Sequence, residues 1–115
     1  MNACRTWRVR LIATAIDDYE GILRWTTERF GEVQATLYAE TIDLAIKALG
    51  SGPDVPGIVN RSLIAPGLLT LHIARQGRKG RHLLIVRVIS SESREIEVLR
   101  ILHDSMDLSR HLPEE

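Results

Sequence analysis

Thr26-Thr27-Glu28-Arg29-Phe30-Gly31-Glu32-Val33-Gln34-Ala35 decides the fold, because a single glycine divides one long helical pattern into two. Upstream of it, Ile16, Tyr19, Leu23, Thr26 and Phe30 recur at steps of three and four, the spacing of one apolar helix stripe. Downstream, Ala35, Tyr38, Ile42, Ala45, Ile46 and Leu49 repeat the same spacing. Gly31 can take positive φ at little cost and so suits the end of the first helix. Thr14, three residues before Asp17, is the expected N-cap of that helix. Gly50-Ser51-Gly52-Pro53 ends the second. Helices joined by so short a turn form an antiparallel hairpin, here over about 14–50.

On either side of the hairpin the period changes. Trp7, Val9 and Leu11 alternate with Arg8 and Arg10, as in a half-buried strand. Residues 51–67 carry Pro53, Pro56 and Pro66 and read as an irregular loop. Three β-like runs follow at residues 68–75, 83–89 and 96–103, separated by Gln76-Gly77-Arg78-Lys79-Gly80 and by residues 90–94. The expected order is β-α-α-β-β-β: a two-layer α+β domain with an antiparallel sheet over about 68–103, packed on the N-terminal helix hairpin. A tail covers 104–115. At 115 residues, the whole of 1–115 reads as a single domain.

Composition narrows the function. Fifteen basic and fifteen acidic residues cancel, so bulk attraction to nucleic acid or acidic membranes is not implied. No apolar run approaches the roughly 20 residues that span a bilayer. Arg5, Arg8 and Arg10 interrupt any secretory pattern, and the lone Cys4 fits a reducing compartment; a cytoplasmic protein is expected. The five aromatics, Trp7, Tyr19, Trp25, Phe30 and Tyr38, all precede the later strands. Those strands therefore lack the stacking platforms of single-strand nucleic-acid modules.

Chemistry-bearing residues give no clear active site. Asp17, Asp18 and Glu20 could do acid–base work, but negative charge is also favoured at a helix N-terminus. Arg75, Arg78, Lys79, Arg81, His82 and Arg87 form a basic stretch, which reads equally as a phosphate grip or as a solvated hairpin that blocks edge pairing. Strand alternation places Arg100 with Ile96, Val98 and Leu102, and Arg87 with Leu83, Ile85 and Ile89. An arginine on an apolar face needs a partner: Arg100 is expected to pair with an internal carboxylate such as Asp107, the alternative being a surface that another molecule completes. His103, Asp107 and His111 have i,i+4 spacing, but the segment is short and nothing completes a ligand set, so no metal is expected. Neither a nucleophile elbow nor a glycine-rich phosphate loop is present, and no cofactor is expected.

The last strand and tail, Leu99-Arg100-Ile101-Leu102-His103-Asp104-Ser105-Met106-Asp107-Leu108-Ser109-Arg110-His111-Leu112, closely resemble the C-terminal signature of the ParE toxins. In that signature a strand ending in Arg-apolar-Leu-His leads through a two-residue spacer to Met-Asp, then two residues, then Arg-His-Leu. Asp17-Asp18, Trp25-Thr26, Phe30-Gly31, Gln34-Ala35, Tyr38 and Arg81-His82-Leu83 also look like the family. The resemblance covers nearly the whole chain and implies the ParE/RelE fold. It implies the toxin of a type II toxin–antitoxin pair, causing growth arrest by inhibiting DNA gyrase and neutralised by a ParD-like antitoxin. Such a toxin is an inhibitor rather than an enzyme, and no direct sequence-specific binding of nucleic acid or membrane is expected. A homodimer, or a heterotetramer with the antitoxin, is the assembly it admits. Leu69 stands where the family often has arginine, and Val86 where it usually has an aromatic. Loss of that polar and aromatic surface argues against RelE-type mRNA cleavage and leaves open a non-toxic antitoxin-binding relic or a toxin with an altered target. The alternative to gyrase inhibition is a RelE-type ribosome-dependent mRNA endonuclease, which would use His72, His82, Arg78, Lys79 and Arg81.

The expected target-contacting residues are Arg100, His103, Met106, Asp107, Arg110 and His111. Those expected to meet the antitoxin are Trp25, Leu69, Leu71, Arg81 and Arg87, and Leu69, Leu71, Arg87 and Arg100 are expected to form an apolar and basic groove beside the hairpin.

Overall fold

The structure, a computed structural model, describes residues 6–106. Strand β1 (Arg8–Leu11) leads into helices α1 (Ala13–Phe30) and α2 (Glu32–Ala48), and a 3-10 turn (Leu49–Ser51) follows. Then come β2 (Ile58–Asn60), β3 (Leu68–His72), β4 (His82–Ser90) and β5 (Glu95–His103). The two-layer α+β architecture is the expected one. No helix among the described residues is long and apolar enough to cross a membrane.

Gly31 makes the hairpin. With φ +92° it donates its N–H to Thr27 O at 2.9 Å and accepts from Ala35 N at 3.1 Å, ending one helix and starting the next. A side chain is strained at that φ. Tyr19 Oη donates to Asp43 Oδ1 at 2.9 Å and ties the two helices together. The apolar face of α2 is the expected one, with Ile42 and Leu49 fully buried. On α1 the expected stripe holds only in part: Thr26 is buried, but Ile16 and Phe30 are 44% and 63% exposed, and Ala15 is fully buried instead.

The sheet runs β1-β5-β4-β3-β2. Pairings from β2 to β5 are antiparallel, but β1 lies parallel to β5 along Arg8↔Glu95 to Leu11↔Val98, so the sheet is mixed. Arg8 and Arg10 there meet Glu95 and Glu97 as an exposed charge ladder. The short β2 lies inside the segment expected to be loop; three residues are too few to show a strand period.

A bulge decides where the site side chains go. Val86 pairs with Val98 but Ile85 pairs with Arg100, so Leu99 is an extra residue that breaks the alternation. Arg100 therefore leaves the Ile96–Val98 row. The larger core lies between sheet and helices and includes Ile42, Leu49, Leu71, Leu84, Val86, Ile96, Val98 and Ile101. A smaller cluster holds Leu68, Ile85, Leu99 and Leu102.

Beyond Leu11, α1 takes over the edge of β5. Ile12 N donates to Val98 O at 3.1 Å, Thr14 Oγ1 donates to Leu99 O at 2.8 Å, and Asp18 Oδ2 accepts from Ile101 N at 2.9 Å. Thr14 is thus no N-cap: the cap position is Ile12, and the threonine instead satisfies a strand carbonyl.

Candidate functional site

Where α1 runs along β5, a cleft of about 400 Å3 opens. Asp17, Asp18, Gly21, Ile22 and Trp25 line it from α1, residues 100–103 from β5, His82 from the start of β4, and Met106 from the turn that follows β5. Trp25 and Met106 are 53% and 43% exposed. Trp25 also packs edge-on against Phe30 at 5.9 Å, with the Arg29 guanidinium 5.2 Å from its ring.

Asp18 and Arg100 form the cleft's ion pair. Arg100 Nε donates to Asp18 Oδ2 at 2.7 Å and Nη2 donates to Oδ1 at 2.9 Å, in a bidentate fork. The hydrogen bond to Asp18 raises the guanidinium pKa further. An internal carboxylate for Arg100 was expected, but Asp18 supplies it; Asp107 lies outside the described residues.

Beside the cleft lies a network of three imidazoles. Tyr38 Oη accepts from Arg81 N at 3.0 Å and shares a second hydrogen bond with His82 Nδ1 at 2.6 Å. Ala74 N donates to His72 Nδ1 at 3.0 Å, which leaves Nε2–H of His72 to donate to Asp104 Oδ2 at 2.9 Å. Ser105 N donates to His103 Nδ1 at 3.2 Å, fixing the same tautomer there. His82 and His103 stack edge-on at 5.4 Å.

Burial, then the neighbouring His103, pushes His82 down to about 4, so the ring is neutral at physiological pH. Asp104 accepts from Arg81 Nε and Nη2 at 3.0–3.2 Å as well as from His72. Those donors hold its carboxyl well below the usual range. Burial raises the Tyr38 hydroxyl.

Of the residues singled out in the sequence, the cleft gathers Arg100, His103, Met106 and Trp25. Arg81 stands next to it through Asp104. The proposed groove of Leu69, Leu71, Arg87 and Arg100 does not form. Leu71 is 1% exposed in the core and offers no surface to a partner. Arg87 registers with Leu68 while Leu69 registers with Val86, which puts Arg87 on the opposite face from Leu69 and Leu71. Asp107, Arg110 and His111 lie outside the described residues. His103 ends a strand and residues 104 and 105 begin a turn, so no helix starts at His103.

Two members were missed. Tyr38 was read as packing, although a buried tyrosine hydroxyl needs a partner. Asp104 was passed over as a spacer.

Arg78, a phosphate-clamp candidate, ties its loop to α2 instead. Its Nε donates to Thr41 Oγ1 at 2.9 Å and its Nη2 to Leu37 O at 3.2 Å, with Glu40 at 3.6 Å. Among the described residues, no group of three or more His, Cys, Asp or Glu is placed to hold a metal ion.

Comparison with known proteins agrees with this architecture. No curated protein sequence matches the chain. Among solved structures, the chromosomal ParDE toxin–antitoxin system from P. aeruginosa is similar with a TM-score of 0.68 at 21% identity, covering 86% of this chain and 97% of that one. The toxin–antitoxin complex RelBE2 from Mycobacterium tuberculosis is similar with a TM-score of 0.51 at 19% identity, covering 85% and 98%. At such identities the likeness is one of fold. The sequence model of the family described as ParE toxin of type II toxin-antitoxin system, parDE, matches residues 9–108, nearly the whole sequence-derived domain, and the chain belongs to that family.

Proposed function

We propose that this toxin acts by docking on DNA gyrase and trapping its cleaved DNA complex, making and breaking no bonds itself. The observation that carries the reading is the chemistry of the cleft. Arg100 is bound by Asp18, Arg81 beside it is bound by Asp104, and His82 is uncharged at neutral pH. A site that holds a phosphodiester in its transition state needs cations free to meet developing charge. An apolar cleft with exposed Trp25 and Met106 suits contact with a protein surface. Gyrase as target places the action in the cytoplasm.

A ParD-like antitoxin neutralises the toxin in this reading. Val33, Leu37 and Leu44 are 77%, 46% and 48% exposed along one side of α2. Arg75, Arg78 and Lys79 line the neighbouring grooves. That combination suits an amphipathic, acidic segment. Purified toxin at micromolar concentration is expected to inhibit supercoiling and stabilise cleaved DNA, and antitoxin to reverse both. Folded toxin without effect on gyrase contradicts the proposal.

One observation favours RelE-type mRNA cleavage instead: His82, His103 and Tyr38 converge as three proton-bearing groups. Translation arrest with cut mRNA, abolished by His82→Ala, selects that reading. Unimpaired growth on overexpression without the antitoxin selects a relic.

A further inference from the structure

We propose that the cleft between α1 and the end of β5 receives a segment of a partner polypeptide that presents a large apolar side chain next to a lysine or arginine. That this partner is the toxin's target rests on the gyrase reading; the binding itself does not.

Charge complementarity sets the occupant. Arg100 is matched by Asp18, and Asp17, also lining the cleft, is exposed, with no hydrogen bond or ion pair among the described residues. The two aspartates outnumber the one arginine in the lining, and the His82 ring adds no charge at neutral pH. Phosphate is repelled there and a cation is drawn to Asp17. Between these charges the lining is apolar, with Trp25 and Met106 both exposed. Such a surface favours an aromatic or aliphatic anchor from a partner.

Gly21 points the same way. It lies inside the 18-residue helix α1, where glycine is less stable than alanine. No close packing requires it: a Cβ built there meets no heavy atom within 4 Å. What the missing side chain does is leave the cleft open along α1.

The geometry therefore supplies its own blocking variant. Gly21→Leu improves helix propensity and adds bulk to the cleft from a position where a Cβ meets no heavy atom within 4 Å. The test titrates the isotope-labelled full chain with three probes: acetyl-Leu-Phe-Arg-amide, acetyl-Leu-Phe-Glu-amide and the trinucleotide UUU. The arginine peptide is expected to bind at least tenfold more tightly than the other two, with NMR shifts centred on Gly21, the Trp25 indole and Met106. Gly21→Leu is expected to weaken it at least tenfold while the melting temperature holds or rises. Asp17→Lys, at an exposed position, is expected to reverse the preference toward the glutamate peptide.

Equal binding of the two peptides, preference for UUU, or unchanged affinity in Gly21→Leu overturns the proposal. Should Gly21→Leu fail to fold, the Asp17→Lys result decides alone. Peptide binding that behaves as stated, in a toxin without effect on gyrase, sinks the gyrase reading and leaves the cleft assignment standing.

Discussion

Tyr38 Oη lies 2.6 Å from His82 Nδ1 and at the same time accepts the Arg81 N–H. A helix residue and a strand residue separated by 44 positions thus meet at the cleft's inner wall, where burial keeps the imidazole neutral. Tyr38→Phe leaves both the Arg81 N–H and His82 Nδ1 without this partner. A loss of about 1–2 kcal/mol is expected, read from urea midpoints at pH 7.

The burial of His82 gives a pH dependence. His82 is ordinarily half-protonated at 6.5 but is pushed down to about 4 in the fold. Between those values the unfolded chain binds more protons than the folded one, so stability falls as pH drops from about 6.5 toward 4. His82→Gln is expected to flatten that part of the profile. Asp104, held low by Arg81 and His72, contributes in a separate window: its stabilisation is present above the ordinary carboxylate range and is lost in stronger acid. Denaturant midpoints at closely spaced pH values distinguish the two.

Asp18 and Asp17 are adjacent in sequence and opposite in role. Asp18→Ala removes both the Arg100 fork and the acceptor for the Ile101 N–H, and is expected to cost roughly 2–3 kcal/mol, allowing for partial solvent exposure. Asp18→Asn keeps an acceptor and is expected to cost less. Asp17→Asn is expected to stay within about 0.5 kcal/mol. Equal losses at both positions contradict the assignment.

Leu71 and Leu37 separate packing from partner binding. Leu71→Ala is expected to cost about 3 kcal/mol, since the side chain is 1% exposed. Leu37→Glu is expected to leave the melt nearly unchanged and to weaken antitoxin binding at least tenfold by calorimetry. A stability loss at Leu37 comparable to that at Leu71 contradicts the placement.

These residues also show what the sequence could carry. The hairpin was legible because Gly31 is a local signal, and the buried face of α2 was legible because Ala35, Ile42 and Ala45 recur at helical spacing. On α1 the true contact face uses Ala15, with Asp18 held to β5 by hydrogen bonds. Counting large apolar residues favoured Ile16 and Phe30 instead. The parallel pairing of β1 with β5 joins opposite ends of the chain, and no local period encodes it. Alternation misplaced Arg100 because one extra residue, Leu99, resets the parity of β5. The need of Arg100 for a carboxylate was readable; its partner, 82 residues away, was not.

Docking without turnover is tested most directly by incubating purified toxin with supercoiled DNA, with and without gyrase, alongside a labelled RNA. The account predicts that cleaved DNA accumulates only when gyrase is present, and that the RNA stays intact. Cleavage of either nucleic acid by the toxin alone, lost on His82→Ala, would contradict it.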